Sequence, residues 1–247
     1  MSLSFSPLSL PASSRALVFS LALFSINSVY ASNDLKQLAN LNQAEFNRLS
    51  ADLTAATSYK GLIPATALGI TGFDLAAELS STQLDDSAVW HRAGGSSSTL
   101  LIPKIHLHKG LPNHFDVGVS FVSLPSSSTK ILGAELRYAL MEGSAALPAL
   151  AVRGSLSRLS GASNLDAQSQ SLELIASKGF VMFTPYAGVG RVWGKVTPQV
   201  SNLSANSVSQ NKLFAGLNAN FGLVNLAGEV DRTGNTQSLS FKLGFRW

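Results

Sequence analysis

The closing residues, Gln237 to Trp247 (QSLSFKLGFRW), constrain the fold more than any other stretch. Leu239, Phe241, Leu243, Phe245 and Trp247 fall on one side of an extended strand, and Ser240, Lys242, Gly244 and Arg246 on the other. A soluble chain seldom closes on so apolar a face with nothing after it to cover it. A membrane-spanning β-barrel does, because lipid covers that face and the last strand pairs with the first.

The other end of the chain agrees. Ala16 to Ile26 is an apolar run of 11 residues behind Arg15, too short to span a bilayer as a helix. It has the length of a signal-peptide core, and Val29 and Ala31 supply residues suited to the −3 and −1 cleavage positions. Cleavage is expected after Ala31, which leaves 216 residues carrying 17 basic and 14 acidic side chains. So small and dispersed an excess argues against nucleic acid as a partner. The chain has 0 cysteines, which excludes a disulfide framework and thiol chemistry. Charged residues are only 13% of the chain, about half the usual share, yet the mature chain has no apolar block long enough for a transmembrane helix. Alternation produces that combination.

Three segments are expected: a signal peptide at 1–31, an amphipathic helix and linker at 32–66, and an outer-membrane barrel at 67–247. Leu35, Leu38, Leu41, Phe46, Leu49 and Leu53 recur at helical spacing, and Gly61 and Pro64 break the linker. The helix is expected to be periplasmic, with its apolar stripe against lipid or the barrel rim; a lumenal plug or a partner-docking element stays open. From Ala67 onward the period is two. The fold class read from this is all-β, a closed antiparallel transmembrane barrel of about ten strands, with eight or twelve left open.

The strand faces divide the side chains. Lipid-facing sets include Phe73, Leu75, Ala77 and Leu79 on the first strand, Leu132, Leu136 and Tyr138 on the fourth, and Tyr186, Val192 and Val196 on the seventh. The opposite faces hold Asp74, Glu78, Lys104, His106, His108, Asp116, Glu135, Arg137, Arg153, Glu173, Arg191, Lys195, Lys212, Glu229, Asp231, Lys242 and Arg246. These are the expected lumen-lining charges. A Lys or Arg on the lipid face would cost about 2–4 kcal/mol at the bilayer midplane. Near-balanced charge in a narrow tube is best satisfied as ion pairs, and a small-solute path is the competing reading.

Other candidates are weaker. His106 and His108 lie two apart on one face, a spacing that can chelate a metal, but no third ligand is identifiable, so no metal and no cofactor is assigned. Asp85, Asp86 and His91 in the first outer loop could be assembled into an acid–base pair, yet Asp-Asp in a Ser/Gly-rich loop is more often solvated, and no catalytic residue is assigned. The outer connections Ser81–Thr99 and Thr197–Asn211 are the candidates for binding an extracellular ligand. Gly188 and Gly190 are placed on the lipid face.

Thr184-Pro-Tyr-Ala-Gly-Val-Gly190 resembles the Pro-Tyr-x-Gly-x-Gly strand of small bacterial outer-membrane barrels of the OmpA-transmembrane and OmpW-like kind. The terminal Phe245-Arg246-Trp247 is similar to their C-terminal insertion signal, with Leu243 on the same face. The resemblance implies partnership with the outer-membrane barrel assembly machinery, which reads that terminal aromatic in such barrels. The residues themselves give a Gram-negative outer-membrane location, outer-membrane lipid as a partner, and a non-enzymatic role as narrow channel or structural barrel. A surface adhesion or binding protein is the alternative, and an outer-rim hydrolase a further one.

Overall fold

A computed structural model describes residues 35–123, 128–162 and 164–247. The expected signal peptide lies outside the described residues. Ten strands follow one another around the wall: β1 (Phe73–Gln83), β2 (Thr99–Gly110), β3 (Phe115–Ser123), β4 (Lys130–Met141) and β5 (Ala149–Ala162). The circuit continues through β6 (Leu165–Ser177), β7 (Phe183–Pro198), β8 (Asn206–Phe221), β9 (Val224–Thr233) and β10 (Thr236–Arg246). Each pairs antiparallel with its neighbour, and β1 pairs with β10 to close the barrel.

Closure takes place at the terminus. The backbone N–H of Phe73 donates to Trp247 O at 2.8 Å and that of Trp247 to Phe73 O at 3.1 Å. The two rings stack with centroids 5.3 Å apart. We call this the closing end of the barrel and its opposite the far end. Gly222 and Gly234 start two-residue turns with φ of 66° and 61°, the left-handed backbone that such hairpins favour at their first turn residue.

The wall carries the alternation that the sequence shows. Leu75, Leu79, Leu132, Leu136, Leu243 and Phe245 point outward and are exposed, whereas Asp74, Glu78, Arg137 and Lys242 point inward and are buried. On β7 the faces are opposite to the sequence reading. Tyr186, Val192 and Val196 are buried in the lumen, while Arg191 and Lys195 are on the outside. Gly188 and Gly190 share the lumenal face, where a Cβ would strike the Phe214 ring and the Glu173 side chain. Phe214 and the N-terminal helix make this part of the lumen apolar, so apolar side chains of β7 pack inward. β7 spans 16 residues, more than the 9–11 that a membrane strand needs, so its far half can carry outward charge beyond the apolar band.

The N-terminal segment is the second correction. A short 3-10 turn (Leu38–Asn40) leads to helix α1 (Gln43–Thr57), started by a capping box in which Asn42 and Glu45 satisfy each other's backbone. The helix is neither on lipid nor at the rim of the closing end. Phe46, Leu49, Leu53 and Ala56 pack with Leu100, Ile102, Val122, Ile131, Leu159 and Val196, all on lumenal faces at the far end. A lumenal helix buries its apolar stripe without any partner beyond its own barrel. Gly194 on β7 makes the close approach possible, since a Cβ there would collide with Thr54. Of that segment, the described residues from Leu35 to Ala65 therefore form the filling of the barrel.

Candidate functional site in the barrel lumen

Past α1 the chain runs without regular secondary structure down the lumen toward the closing end. Every residue from Ser58 to Ala65 is buried. Polar groups of the wall hold it along its length. The Tyr59 hydroxyl lies 3.2 Å from His108 Nε2, and Lys212 Nζ donates to Tyr59 O at 3.2 Å. Lys60 Nζ is 3.0 Å from Asp231 Oδ2. Arg137 donates to the carbonyls of Pro64 and Thr66, the Ala65 N–H to Ser177 Oγ at 3.1 Å, and the Leu68 N–H to Asp116 Oδ1 at 2.9 Å. A Cβ at Gly61 would collide with Arg153, so the backbone passes directly under that guanidinium.

The wall charges form pairs among themselves as well. Glu78 accepts from Lys104 at 2.7 Å and contacts His106 Nε2. Asp74 accepts from Lys242 at 3.0 Å and from Arg246 Nε at 2.7 Å. Arg137 donates to Asp116 at 2.6 Å. Glu173 bridges Arg153 Nε at 2.8 Å and Lys212 at 3.0 Å. Glu229 accepts from the Tyr186 hydroxyl at 3.0 Å. Glu135 lies 3.5 Å from Arg153 and 3.4 Å from His108. Of the proposed lumen charges, only Arg191 and Lys195 are outside. Without them the wall has seven acids to six lysines and arginines, and Lys60 of the threaded segment is the seventh cation. Sequence reasoning missed Lys60 because it sits in the linker, next to Gly61, where a lysine reads as a turn residue.

The far end is sealed by a loop. A short helix, α2 (Ser87–Arg92), folds from the first long connection onto α1. Asp52 of α1 ties it down, accepting from Trp90 Nε1 at 3.2 Å, Asp85 N at 3.1 Å and Thr236 Oγ1 at 2.7 Å. Arg48 pairs with Asp86 at 2.9 Å, and Arg92 with Glu45. The three residues weighed for acid–base chemistry have structural partners instead. Asp86 caps α2 by accepting from the Val89 N–H at 3.1 Å, Asp85 accepts from Asn235 at 3.2 Å, and His91 Nδ1 is 3.0 Å from Gly95 O. The loops proposed for ligand binding are shorter than expected, because β1, β7 and β8 extend into them and leave 84–98 and 199–205. The second is also tethered, with Asn202 donating to Ala39 O at 3.0 Å.

No family model matches the chain, and no curated protein does. Solved structures do match. The N-terminal β-barrel domain of Pseudomonas aeruginosa OprF is 12% identical, over 70% of this chain and 97% of that one, with a TM-score of 0.39. The COG4313 outer membrane channel from Pseudomonas putida F1 is 12% identical, over 74% and 98%, with a TM-score of 0.41. Ail, the attachment invasion locus protein of Yersinia pestis, is 12% identical, over 71% and 98%, with a TM-score of 0.33. These neighbours are small bacterial outer-membrane barrels, the class that the sequence resembles.

Proposed function

We propose that the protein is a non-enzymatic barrel of the bacterial outer membrane whose own N-terminal segment keeps its lumen shut. The closing end, with Trp247, faces the periplasm, and the far end, with α2 and the longest connection, faces outward, following the usual asymmetry of loop lengths. The observation that carries the reading is the unbroken burial of Ser58–Ala65 inside the wall. His106, His108, Arg137, Arg153 and Lys212 are each 0% exposed, so no water-wide path runs along them. A ten-stranded wall is narrow, and α1 with the segment after it occupies it. The role that follows is structural, with passage of ions requiring the segment to leave.

Planar-bilayer conductance of the refolded mature chain tests this. Inserted wild-type protein should be electrically silent, and a variant lacking residues 32–66 should give discrete steps. Reproducible steps from the intact chain would overturn the plugged reading in favour of a narrow channel.

A further inference from the structure

The outward residues of the far half of the barrel form a basic border. On four strands the outward side chains, counted from the closing end, are apolar until Lys130 on β4, Arg158 on β5, Arg191 on β7 and Arg232 on β9, with Lys195 two outward positions beyond Arg191. Asp166 is the one outward acid at that level among the described residues. Eight residues separate Phe183 from Arg191. At ~3.3 Å each and a ~40° tilt they rise about 20 Å, close to the height of the apolar band. The border therefore lies where lipid headgroups begin.

Below the border the lipid-facing surface is not smooth. One shallow furrow of about 930 Å³ is lined from Leu150 on β5 round to Thr99 on β2, with Arg232 among its lining residues. A second, of about 760 Å³, runs up to Arg191 and Trp193. They share Leu174, Val189 and Leu213 as a common wall. Arg191 is registered with Asn211 and Arg232 with Leu213, so the two residues flank β8, two strand spacings (~10 Å) apart across it and two residues apart along it. Each has its Nε bound to a neutral oxygen: Arg191 to Ser209 Oγ at 2.8 Å and Arg232 to Gly234 O at 3.1 Å. The remaining N–H groups of each fork suit a phosphate.

We infer that β7–β9 form a binding site for a phosphate-bearing lipid of the leaflet at the far end, with the phosphate between Arg191 and Arg232 and acyl chain in the furrows below. The charge of the border selects the headgroup, and the furrows select an amphiphile over a free anion. The inference depends on the membrane-barrel reading but not on the plug, so lipid binding and conductance fail separately.

Native mass spectrometry of the full mature chain in detergent tests it. The probes are dioleoylphosphatidylglycerol, dioleoylphosphatidylcholine and inorganic phosphate. Wild type should retain the phosphatidylglycerol at least tenfold better than the phosphatidylcholine. Arg191→Gln with Arg232→Gln should weaken that retention roughly 20-fold. Lys178→Gln, at the closing end, should leave it unchanged. Ala215→Trp, which fills the larger furrow without touching charge, should weaken it as well. Equal retention of the two lipids, or full retention by the double variant, would overturn the site. Displacement by millimolar phosphate would reduce it to an adventitious anion contact and overturn the lipid assignment. Should the double glutamine variant not fold, as judged by heat-modifiable gel mobility, Ala215→Trp and the lipid comparison in wild type still decide.

Discussion

Lys60 and Asp231 form a salt bridge inside the barrel, 3.0 Å apart, with both side chains cut off from solvent. The lysine belongs to the threaded segment and the aspartate to the wall. Lys60→Ala would leave a buried carboxylate whose remaining side-chain hydrogen bond among the described residues is from Thr233 Oγ1, at 3.3 Å. Removing one partner of a buried pair typically costs ~3–5 kcal/mol, whereas replacing both by apolar groups of similar size is close to neutral. Lys60→Ala should therefore lower the urea midpoint of the vesicle-inserted protein markedly, and Lys60→Met with Asp231→Leu should recover most of it. Equal midpoints for the single variant and wild type would show that the pair does not hold the segment.

Asp52 gathers the far-end seal. It accepts from Trp90, Asp85 and Thr236, and it is 1% exposed. Asp52→Ala should free the loop at 84–98 while leaving the wall pairing intact. Each buried donor left unmatched costs ~1–3 kcal/mol, more than enough to open a local segment. Trp90, 1% exposed in the closed state, should become quenchable by acrylamide, with far-UV dichroism unchanged. Unaltered quenching would remove Asp52 from that role.

The close pass of Gly194 and Thr54 gives a steric test of the plug. Gly194→Leu places a branched side chain into the α1 position. Overpacking of this kind costs ~1–3 kcal/mol, and the helix is the part that can yield, since among the described residues no backbone–backbone hydrogen bond ties it to the wall. The variant should insert normally and show intermittent conductance. Silence in a variant with normal stability would mean that α1 shifts without opening a path.

Much of this architecture was legible in the sequence, and the exceptions have physical causes. Period-two alternation on β1 to β4 and on β10 marks strands and faces because each position there either meets lipid or meets the filled lumen. On β7 the signal inverts. Gly188, Gly190 and Gly194 leave one face nearly without side chains, and Tyr186, Val192 and Val196 look lipid-facing because the lumen is expected to be polar. The lumen is apolar there, since α1 and Phe214 fill it. The position of α1 was not legible, because an amphipathic stripe is the same whether it meets lipid, a rim or an inner wall. Lys60 carries no mark that distinguishes a buried partner from a turn lysine.

The inversion on β7 is directly measurable, since the chain has 0 cysteines and single substitutions give a clean label. Arg191→Cys and Lys195→Cys should react with a maleimide from outside the barrel. Val192→Cys, at 0% exposure, should not react until the protein is unfolded. The reverse pattern would restore the face assignment read from the sequence.

The terminus makes the last prediction. Trp247 pairs its backbone with Phe73 and stacks on the Phe73 ring, so it closes the seam between the first and last strands. Phe245, registered with Leu75 and Val224, supplies the next outward contact on both sides of that seam. Replacing both aromatics by alanine leaves the strand hydrogen bonds possible but removes the outward area that anchors the seam in lipid. Burying an aromatic side chain is worth ~1.5–3 kcal/mol, so the pair accounts for a large part of a typical folding free energy of ~5–15 kcal/mol. Phe245→Ala with Trp247→Ala should be exported yet accumulate outside the outer-membrane fraction and lose heat-modifiable mobility. Normal insertion of the double variant would mean that β1–β10 pairing closes the barrel without its aromatic clasp.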